Sequence, residues 1–302
     1  MISPPLVKAR RFVRKMRGGA QAHLIEADDG HWYVTKFVNN PQGGRRILVN
    51  ELITSLLFSA LDLSTPEPAL VLVDQEFLRA NPEVHIASKP GPIALEPGVH
   101  FGSRYPGSPV ATAVYDFLPD TMISQVVNRD HFLGTLVADK WVSNADARQS
   151  IYFRAQLRYT FRGTGISGVG WMTEMIDHGM AFQGNDWTFG VSAVQGLYQR
   201  RIVYGHVSAM ADFEPWLERL LSLGRDVLDS AFMVVPPDWI RGDELQLHRL
   251  LRQLYSRRVL VPQLVAASIE WLQRRSPSCV PKDNATAESA RPRGGPHEVA
   301  VI

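Results

Sequence analysis

The first part of the chain alternates short apolar runs with glycine and aspartate turns. Strands are predicted near Arg11–Arg14, at Ala22–Ala27 and at Trp32–Val38, with turns at Gly18–Gly19 and Asp28–Gly30. An Asp-Gly pair between two apolar runs is a strong hairpin signal, because these residues adopt the backbone angles that a tight turn needs. The pattern therefore predicts a small antiparallel sheet at the start of the fold.

A helix is predicted next, from Arg45 to Leu61. Apolar residues recur there at helical spacing, at Ile47, Leu48, Leu52, Ile53, Leu56, Leu57 and Ala60. Two prolines then precede a predicted strand at Ala69–Val73. Residues 74–110 are rich in Pro and Gly, which predicts loops, and Ala111–Phe117 is apolar enough for a buried strand.

The second half is mostly helical in pattern. A helix is predicted at about Asp130–Val142, and two strands follow it at Ile151–Phe161 and Trp171–Ile176. The later helices are predicted at Pro215–Leu223, Asp229–Met233, Asp243–Arg257 and Pro262–Arg275. Strands with one helix, followed by many helices, indicate an α+β fold. We expect a small sheet-rich lobe over 1–117, a larger helical lobe over 118–275, and a disordered tail over 276–302, which has no periodicity.

Composition narrows the class of protein. The chain has 302 residues, 45% of them hydrophobic, which is enough for two domains or lobes. Its formal net charge of +2 predicts neither direct nucleic-acid binding nor membrane binding. The single cysteine, Cys279, excludes an internal disulfide and a Cys-rich zinc site. No apolar run suits a signal peptide or a membrane span, so we expect a soluble, cytoplasmic protein.

Three features of the first half suggest phosphate binding. Gly18 and Gly19 lie in a turn between strands, where backbone N–H groups can approach phosphate oxygens closely. Lys36 lies on a following strand, and Glu51 lies on the next helix. Kinases hold ATP phosphates with a strand lysine that a helix glutamate orients. Taken alone, the glycine turn also fits an ordinary hairpin, and Lys36 also fits a lysine that faces solvent.

Two loops of the second half carry candidate acidic groups. Asp146 follows a predicted helix and is a candidate to accept or orient the proton of an attacking hydroxyl, while the amides of Asn144 and Gln149 are candidate magnesium ligands. Asp177 ends an apolar strand in the sequence Asp-His-Gly, the position at which kinases place a metal-binding aspartate. Taken alone, the first loop also fits an Asx turn at the end of a helix, and Asp-His-Gly also fits a simple glycine turn after a strand. The order of all these signals along the chain is that of a kinase.

Several segments together resemble the HipA-like kinase family, over about residues 10–270. They are GGAQAHLI, YVTKF, NELITSLL, DKWVSNADARQSIYF and MIDHGMAF. The resemblance implies a two-lobed, protein-kinase-like fold that binds ATP and Mg²⁺ and phosphorylates Ser or Thr of a protein substrate. A partner protein is an open question.

The resemblance also implies roles for individual residues. Lys36 binds the ATP phosphates and pairs with Glu51, Asp146 is the catalytic aspartate and Asp177 is the metal ligand. The backbone of Tyr115, Phe117 and Leu118 is the hinge that meets adenine.

One departure from the kinase pattern leaves a second function open. Protein kinases place a metal-binding Asn five residues after the catalytic Asp, and Ile151 occupies that position here. Gln149 is the expected substitute. The alternative is a nucleotide-binding pseudokinase or scaffold module without turnover. His178 in the Asp-His-Gly motif is predicted to be structural and not a base.

Overall fold

The computed structural model describes residues 3–157 and 168–274. Its first part is built around five strands: β1 (Leu6–Lys15), β2 (His23–Ala27), β3 (Trp32–Lys36), β4 (Pro68–Val73) and β7 (Gly98–Arg104). They form a sheet in the order β1-β2-β3-β7-β4 that closes on itself through a parallel β4–β1 pair. All other pairs in this sheet are antiparallel. The predicted meander is thus part of a larger closed sheet.

Short elements lie between and after the strands of this sheet. Helix α2 (Gln75–Ala80) and the paired strands β5 (His85–Ile86) and β6 (Ile93–Ala94) lie between β4 and β7, whereas strand β8 (Val114–Tyr115) and helix α3 (Asp120–Ile123) connect β7 to the second half. Strand β8 forms an antiparallel sheet with two long strands, β9 (Gln149–Leu157) and β10 (Gly168–Ile176). Residues on β8, β9 and β10 pack with residues of β2 and β3 in one apolar cluster, which joins the two sheets.

The remaining helices gather around two buried ones. Their bounds are α1 (Gly44–Ala60), α4 (His131–Val142), α5 (Trp216–Ser222), α6 (Arg225–Met233), α7 (Glu244–Arg257) and α8 (Val261–Arg274). Short 3-10 turns lie at Ala181–Asp186, Arg201–Tyr204, Met210–Phe213, Pro237–Trp239 and Arg258–Leu260. Every residue of α4 is buried, as is every residue of α1 from Leu48 to Phe58. A helix that is covered on all sides must satisfy its polar residues internally, so polar groups on α1 and α4 mark places to examine.

The loops predicted for residues 74–110 were the main error in the fold prediction. Strand β7 lies in that region and pairs with both β3 and β4. Its glycines favoured the prediction of a loop, but Gly102 is required by the packing of the sheet. A Cβ on Gly102 would lie 2.6 Å from Cγ2 of Val71. Helix α2 was missed as well, although the Asp74 side chain caps it by accepting from the N–H of Phe77 at 2.8 Å.

Other predicted elements differ mainly in their ends. The strand predicted over Ala111–Phe117 is only the two-residue β8, while the first strand is much longer than predicted. The predicted tail over 276–302, Cys279 included, lies outside the described residues. Within the described ranges, no helix combines the length and apolar character that crossing a membrane requires.

Candidate active site

Three charged residues that are far apart in sequence meet at one point. Lys36 is the last residue of β3, Glu51 lies on α1 and Asp177 follows β10. The Nζ atom of Lys36 lies 2.9 Å from Oδ1 of Asp177 and also forms an ion pair with Oε1 of Glu51. The structure therefore brings together the lysine, glutamate and metal-site aspartate that the sequence predicted separately.

The cluster is graded from interior to surface. The side chain of Glu51 is 2% exposed and that of Lys36 is 14% exposed, whereas that of Asp177 is 36% exposed. The positive charge of Lys36 outweighs burial and lowers the pKa of Asp177 to about 2. Burial alone would lower the pKa of Lys36, but the charges of Glu51 and Asp177 outweigh it and raise that pKa. The group that faces outward is thus a fully ionised carboxylate.

The Asp-His-Gly sequence fits closely against α1. The backbone N–H of His178 donates to Oε2 of Glu51 at 3.0 Å. A Cβ on Gly179 would lie 2.7 Å from Cγ2 of Ile47 and 3.1 Å from Oε1 of Glu51. Asp177 itself has a φ of 61°, in the left-handed region that few non-glycine residues adopt. Tight packing and a constrained backbone together fix where the carboxylate of Asp177 points.

The loop after α4 supplies the neighbours of Asp177. Nε2 of Gln149 donates to Oδ2 of Asp177 at 2.9 Å, so this amide lies next to the carboxylate. Asp146 is exposed, and it lines one surface cleft together with Gln149 and Asp177. Asn144 is different: it is 1% exposed, its amide donates to Oδ1 of Asp139 at 3.2 Å, and its oxygen accepts from the N–H of Asp146 at 3.3 Å. Because those contacts orient it into the interior, Asn144 does not line the cleft as a metal ligand would.

A buried network behind this loop was not predicted. Arg148 and Asp139 form an ion pair whose side chains are both 0% exposed. Nη1 of Arg148 also donates to the carbonyl of Ile176 at 2.8 Å, directly before Asp177. A charged residue in the middle of the apolar α4 pattern was the available signal for Asp139, because a buried carboxylate needs a partner. The network connects α4, the Asp146 loop and the end of β10.

The ring of His178 completes the network. Arginine has only donors, so Nδ1 of His178, 3.1 Å from Nη1 of Arg148, is an acceptor. The proton then lies on Nε2, 3.0 Å from Oγ1 of Thr65, which in turn donates to the carbonyl of Met175. Burial, with the charge of Arg148, holds the pKa of His178 well below its usual range. A neutral ring with both nitrogens engaged has the structural role that was predicted for it.

The charged cluster opens into a cleft of about 600 Å³. Gly18 and Gly19 line it, and Gly18 has a φ of 110°, which a side chain would strain. Ile151 also lines it, and further lining residues that the sequence did not single out include Arg17, Val34, Tyr105, Ile176 and Tyr198. The glycine turn, Lys36, Asp146, Gln149 and Asp177 therefore border one space.

Only one of the three residues predicted to form the hinge lines this cleft. Phe117 lines it, together with the neighbouring Val114 and Asp116. Leu118 is buried and its carbonyl accepts from Nη1 of Arg200 at 3.0 Å, so that carbonyl already has a partner. Tyr115 packs its ring on Trp171 at 5.7 Å and is not a lining residue.

The side chains beside the cleft are too few to hold a metal ion unless a bound molecule supplies further oxygen atoms. Within the described ranges, no group of three or more His, Cys, Asp or Glu side chains could hold an ion. Asp177 and Gln149 supply one carboxylate and one amide beside the cleft. Mg²⁺ is commonly held by one or two carboxylates, with phosphate oxygens and water as its other ligands. These residues therefore fit a magnesium ion that arrives with a nucleotide.

Comparison with known proteins gives the class and then the family. A family model described as HipA-like kinase matches residues 10–256, which is most of the chain, so the protein is kinase-like. The chain belongs to the HipA-like kinase family, as its motifs suggested.

Solved kinase structures align with the chain at low identity. The crystal structure of the Golgi casein kinase with Mn/ADP bound has a TM-score of 0.45 and 11% identity, covering 89% of this chain and 75% of that one. A Helicobacter pylori proinflammatory kinase, CtkA, has a TM-score of 0.42 and 13% identity, with 88% and 99% covered. A comparison with curated proteins gives no match.

Proposed function

We propose that the protein is an ATP-dependent kinase that transfers the γ-phosphoryl group to a hydroxyl, that of Ser or Thr in a protein substrate. The observation that carries the proposal is the contact between Lys36 and Asp177, 2.9 Å apart at the wall of the 600 Å³ cleft. Family membership supports the reaction class. The acceptor is the part that rests on the resemblance alone.

The proposed architecture is two-lobed, with residues 1–117 in the first lobe and 118–275 in the second. Its support is the composition of the cleft walls. Gly18 and Lys36 come from the first segment, whereas Asp146 and Asp177 come from the second. A nucleotide between the lobes would contact both, as positioning for phosphoryl transfer requires.

Each charged group has a place in ATP binding. The ammonium group of Lys36 would bind phosphate oxygens, and Glu51 would hold it in position from the interior. Asp177 and Gln149 would hold Mg²⁺, which when bound neutralises charge on the phosphates. Gln149 is preferred over Asn144 because only its amide lies against Asp177. The turn at Gly18–Gly19 would offer backbone N–H groups to the phosphates.

The proposed transfer step uses Asp146 as the proton acceptor. The substrate hydroxyl oxygen forms a bond to the γ-phosphorus while the bond from that phosphorus to the bridging oxygen of ADP breaks. The hydroxyl proton passes to the carboxylate of Asp146. The exposure of Asp146 in the cleft leaves this carboxylate accessible to a protein side chain.

A nucleotide-binding pseudokinase is the second candidate. Ile151 lines the cleft where protein kinases have a metal-binding Asn, so the second metal position lacks its usual ligand. If Gln149 does not replace that ligand, nucleotide binds without turnover. Binding and transfer therefore have to be measured separately.

Thermal unfolding with ATP tests binding. A specific ligand stabilises the folded protein by about 2.7 kcal/mol at a concentration a hundred times its Kd. We expect Tm to rise with ATP, and to rise further when Mg²⁺ is added. No shift with ATP in either condition would remove both candidate functions.

Incorporation of labelled phosphate into the protein or an added general protein substrate tests transfer. We expect incorporation by the natural chain and its loss in Asp146→Asn. Asp238→Asn is the matched control, because Asp238 is an exposed residue paired only locally with Arg241. ATP binding without incorporation would favour the pseudokinase.

A further inference from the structure

A second cleft, of about 720 Å³, lies between α6, α7 and the 3-10 turn at Arg258–Leu260. It shares no lining residue with the cleft that holds Lys36 and Asp177. Nothing in the proposed phosphoryl transfer uses it. Its composition nevertheless differs from that of an ordinary surface depression.

The rim of this cleft is strongly basic. Arg225, Arg249 and Arg252 are exposed and line it, whereas Asp229 is the single acidic residue of the lining. In residues 3–157 and 168–274, none of these three arginines forms an ion pair. Exposed arginines that converge on a concavity without carboxylate partners produce a local positive potential, although the chain as a whole has a formal net charge of only +2.

A fourth arginine, Arg257, brings positive charge to the cleft floor. It is 9% exposed, and its guanidinium donates only to backbone carbonyls: Nε to Trp141 at 3.1 Å and Nη2 to Gly190 at 2.8 Å. No carboxylate pairs with it among the described residues, and burial lowers its pKa. A buried cation that lacks a counter-charge is costly, and an anion in the cleft would compensate it.

The cleft is also apolar. Leu228 and Leu251 form part of its lining, and Val259 and Leu260 are 63% and 46% exposed beside them. Exposed aliphatic side chains next to arginines match a ligand that carries both apolar and acidic side chains. Inorganic phosphate or a free nucleotide would leave this apolar surface uncovered.

The aromatic rings of the lining are already stacked. His248 lies on Phe232 with ring centroids 4.1 Å apart, and the guanidinium of Arg258 lies 3.6 Å from the ring centroid of Tyr255. Proteins that bind single-stranded nucleic acid without sequence preference keep aromatic faces free for bases. The arrangement therefore favours a peptide over an oligonucleotide.

We propose that this cleft is a docking site for an acidic, partly apolar segment of a partner protein. The chain's own end is a poor occupant on charge, since residues 275–302 contain four basic and three acidic side chains. The proposal is independent of phosphoryl transfer, because it requires no nucleotide.

The position of the cleft gives docking a use. Gly190, whose carbonyl accepts from Arg257, donates its N–H to Oγ of Ser143 at 2.8 Å. Ser143 directly follows α4 and precedes the loop that carries Asp146. A docked segment would lie a short hydrogen-bonded path from the candidate catalytic loop.

Fluorescence anisotropy tests the proposal without nucleotide. The probe is a labelled short peptide of alternating Glu and Leu, compared with the same peptide carrying Gln for every Glu and with a single-stranded oligothymidine. We expect the Glu peptide to bind more tightly than both others, and the Arg249→Glu/Arg252→Glu double variant to weaken its binding at least about tenfold. The control variant, Arg79→Glu/Lys89→Glu, changes the same charge at exposed sites outside both clefts.

Each outcome decides the proposal. Equal binding by the two double variants, equal binding of the Gln peptide, or tighter binding of the oligothymidine would overturn it. Circular dichroism and the midpoint of urea unfolding check that both variants are folded. The Asp177→Asn variant should bind the peptide as the natural chain does, so failure of the kinase proposal and failure of the docking proposal are distinguishable.

Discussion

Two ion-pair clusters lie close together in this protein and differ in one property, access to solvent. In the Lys36–Asp177 contact, the aspartate side chain is 36% exposed and faces the cleft. In the Asp139–Arg148 pair, both side chains are 0% exposed. A charge that a ligand cannot reach can only hold the fold together. The comparison marks the sealed pair as part of the scaffold and the open cluster as the charged group that a ligand can reach.

His178 links the two clusters. Its backbone N–H binds Glu51, and its ring accepts from Arg148. The position of Asp177 is therefore set from both sides, by α1 through Glu51 and by α4 through Arg148. Changes in the sealed pair should affect stability first, whereas changes in the open cluster should affect ligand binding first.

Breaking the sealed pair should have the largest effect. Arg148→Met leaves the carboxylate of Asp139 buried without its partner, which typically costs about 3–5 kcal/mol. Urea unfolding measures the change. The double variant Asp139→Leu/Arg148→Met should lose less stability than Arg148→Met alone, because it leaves no uncompensated charge. A double variant that is less stable than the single one would contradict the interpretation of the pair as a charge-balanced scaffold.

Removing the lysine of the open cluster should reduce activity, and it should also lower stability because Glu51 stays buried with only the His178 N–H as a partner among the described residues. Lys36→Met removes a fixed positive charge from the phosphates, and losing one such electrostatic contact typically costs about 10²–10³-fold in kcat. Labelled phosphate incorporation under saturating ATP measures it. Lys89→Met is the control, since Lys89 is exposed and lies outside the cleft. Equal activity of the two variants would place Lys36 outside the reaction.

Adding one methyl group should test how tightly the Asp177 turn is held. The Cβ of a Gly179→Ala variant would meet Ile47 at 2.7 Å and Glu51 at 3.1 Å, so the turn or α1 must move. Overpacking of this kind costs about 1–3 kcal/mol. Gly205→Ala is the control, because a Cβ at that position would meet only the carbonyl oxygen of Ile202, at 3.5 Å. Equal unfolding midpoints for the two alanine variants would mean that the turn is loosely packed.

The smallest expected effect is a pH dependence from His178. Its pKa is depressed in the folded protein and near 6.5 when unfolded, so the unfolded state binds an extra proton as pH falls. The neutral ring contributes its full stabilisation above about pH 6.5. Below that pH, the free energy of unfolding falls by about 1.4 kcal/mol per pH unit. Urea unfolding at neutral and mildly acidic pH gives the slope.

The His178→Gln variant should show a smaller slope than the natural chain, with the difference corresponding to one proton. His100, also buried and with its pKa lowered to about 4, contributes to the slope of both proteins and cancels in the comparison. An unchanged slope in His178→Gln would mean that the ring is protonated in the folded state.

Sequence pattern predicted the open cluster better than the sealed one for a physical reason. Lys36 ends β3, Glu51 lies inside α1 and Asp177 follows β10, and each is an ionisable residue that interrupts an apolar pattern in a familiar order. The Asp139–Arg148 pair depends on contacts between a buried helix and a loop, which no periodicity encodes. Strand β7 was missed for a related reason, since Gly102 is required by the Val71 side chain on a neighbouring strand.

The same limit applies to the loop after α4. Its sequence offered both Asn144 and Gln149 as candidate magnesium ligands, with Gln149 as the expected substitute for the missing Asn, and the fold separates the two amides. Asn144 turns inward to Asp139, while Gln149 lies on the first position of β9, beside Asp177. The two amides therefore differ in the direction in which each side chain leaves the backbone.

The most direct test of the central claim is the magnesium dependence of ATP binding, measured by calorimetry. If Lys36 and Asp177 hold one nucleotide–metal complex, Mg²⁺ should strengthen ATP binding by the natural chain and by Asp146→Asn, but not by Asp177→Asn. ATP binding that Mg²⁺ strengthens equally in all three proteins would contradict the claim that Asp177 is the metal ligand.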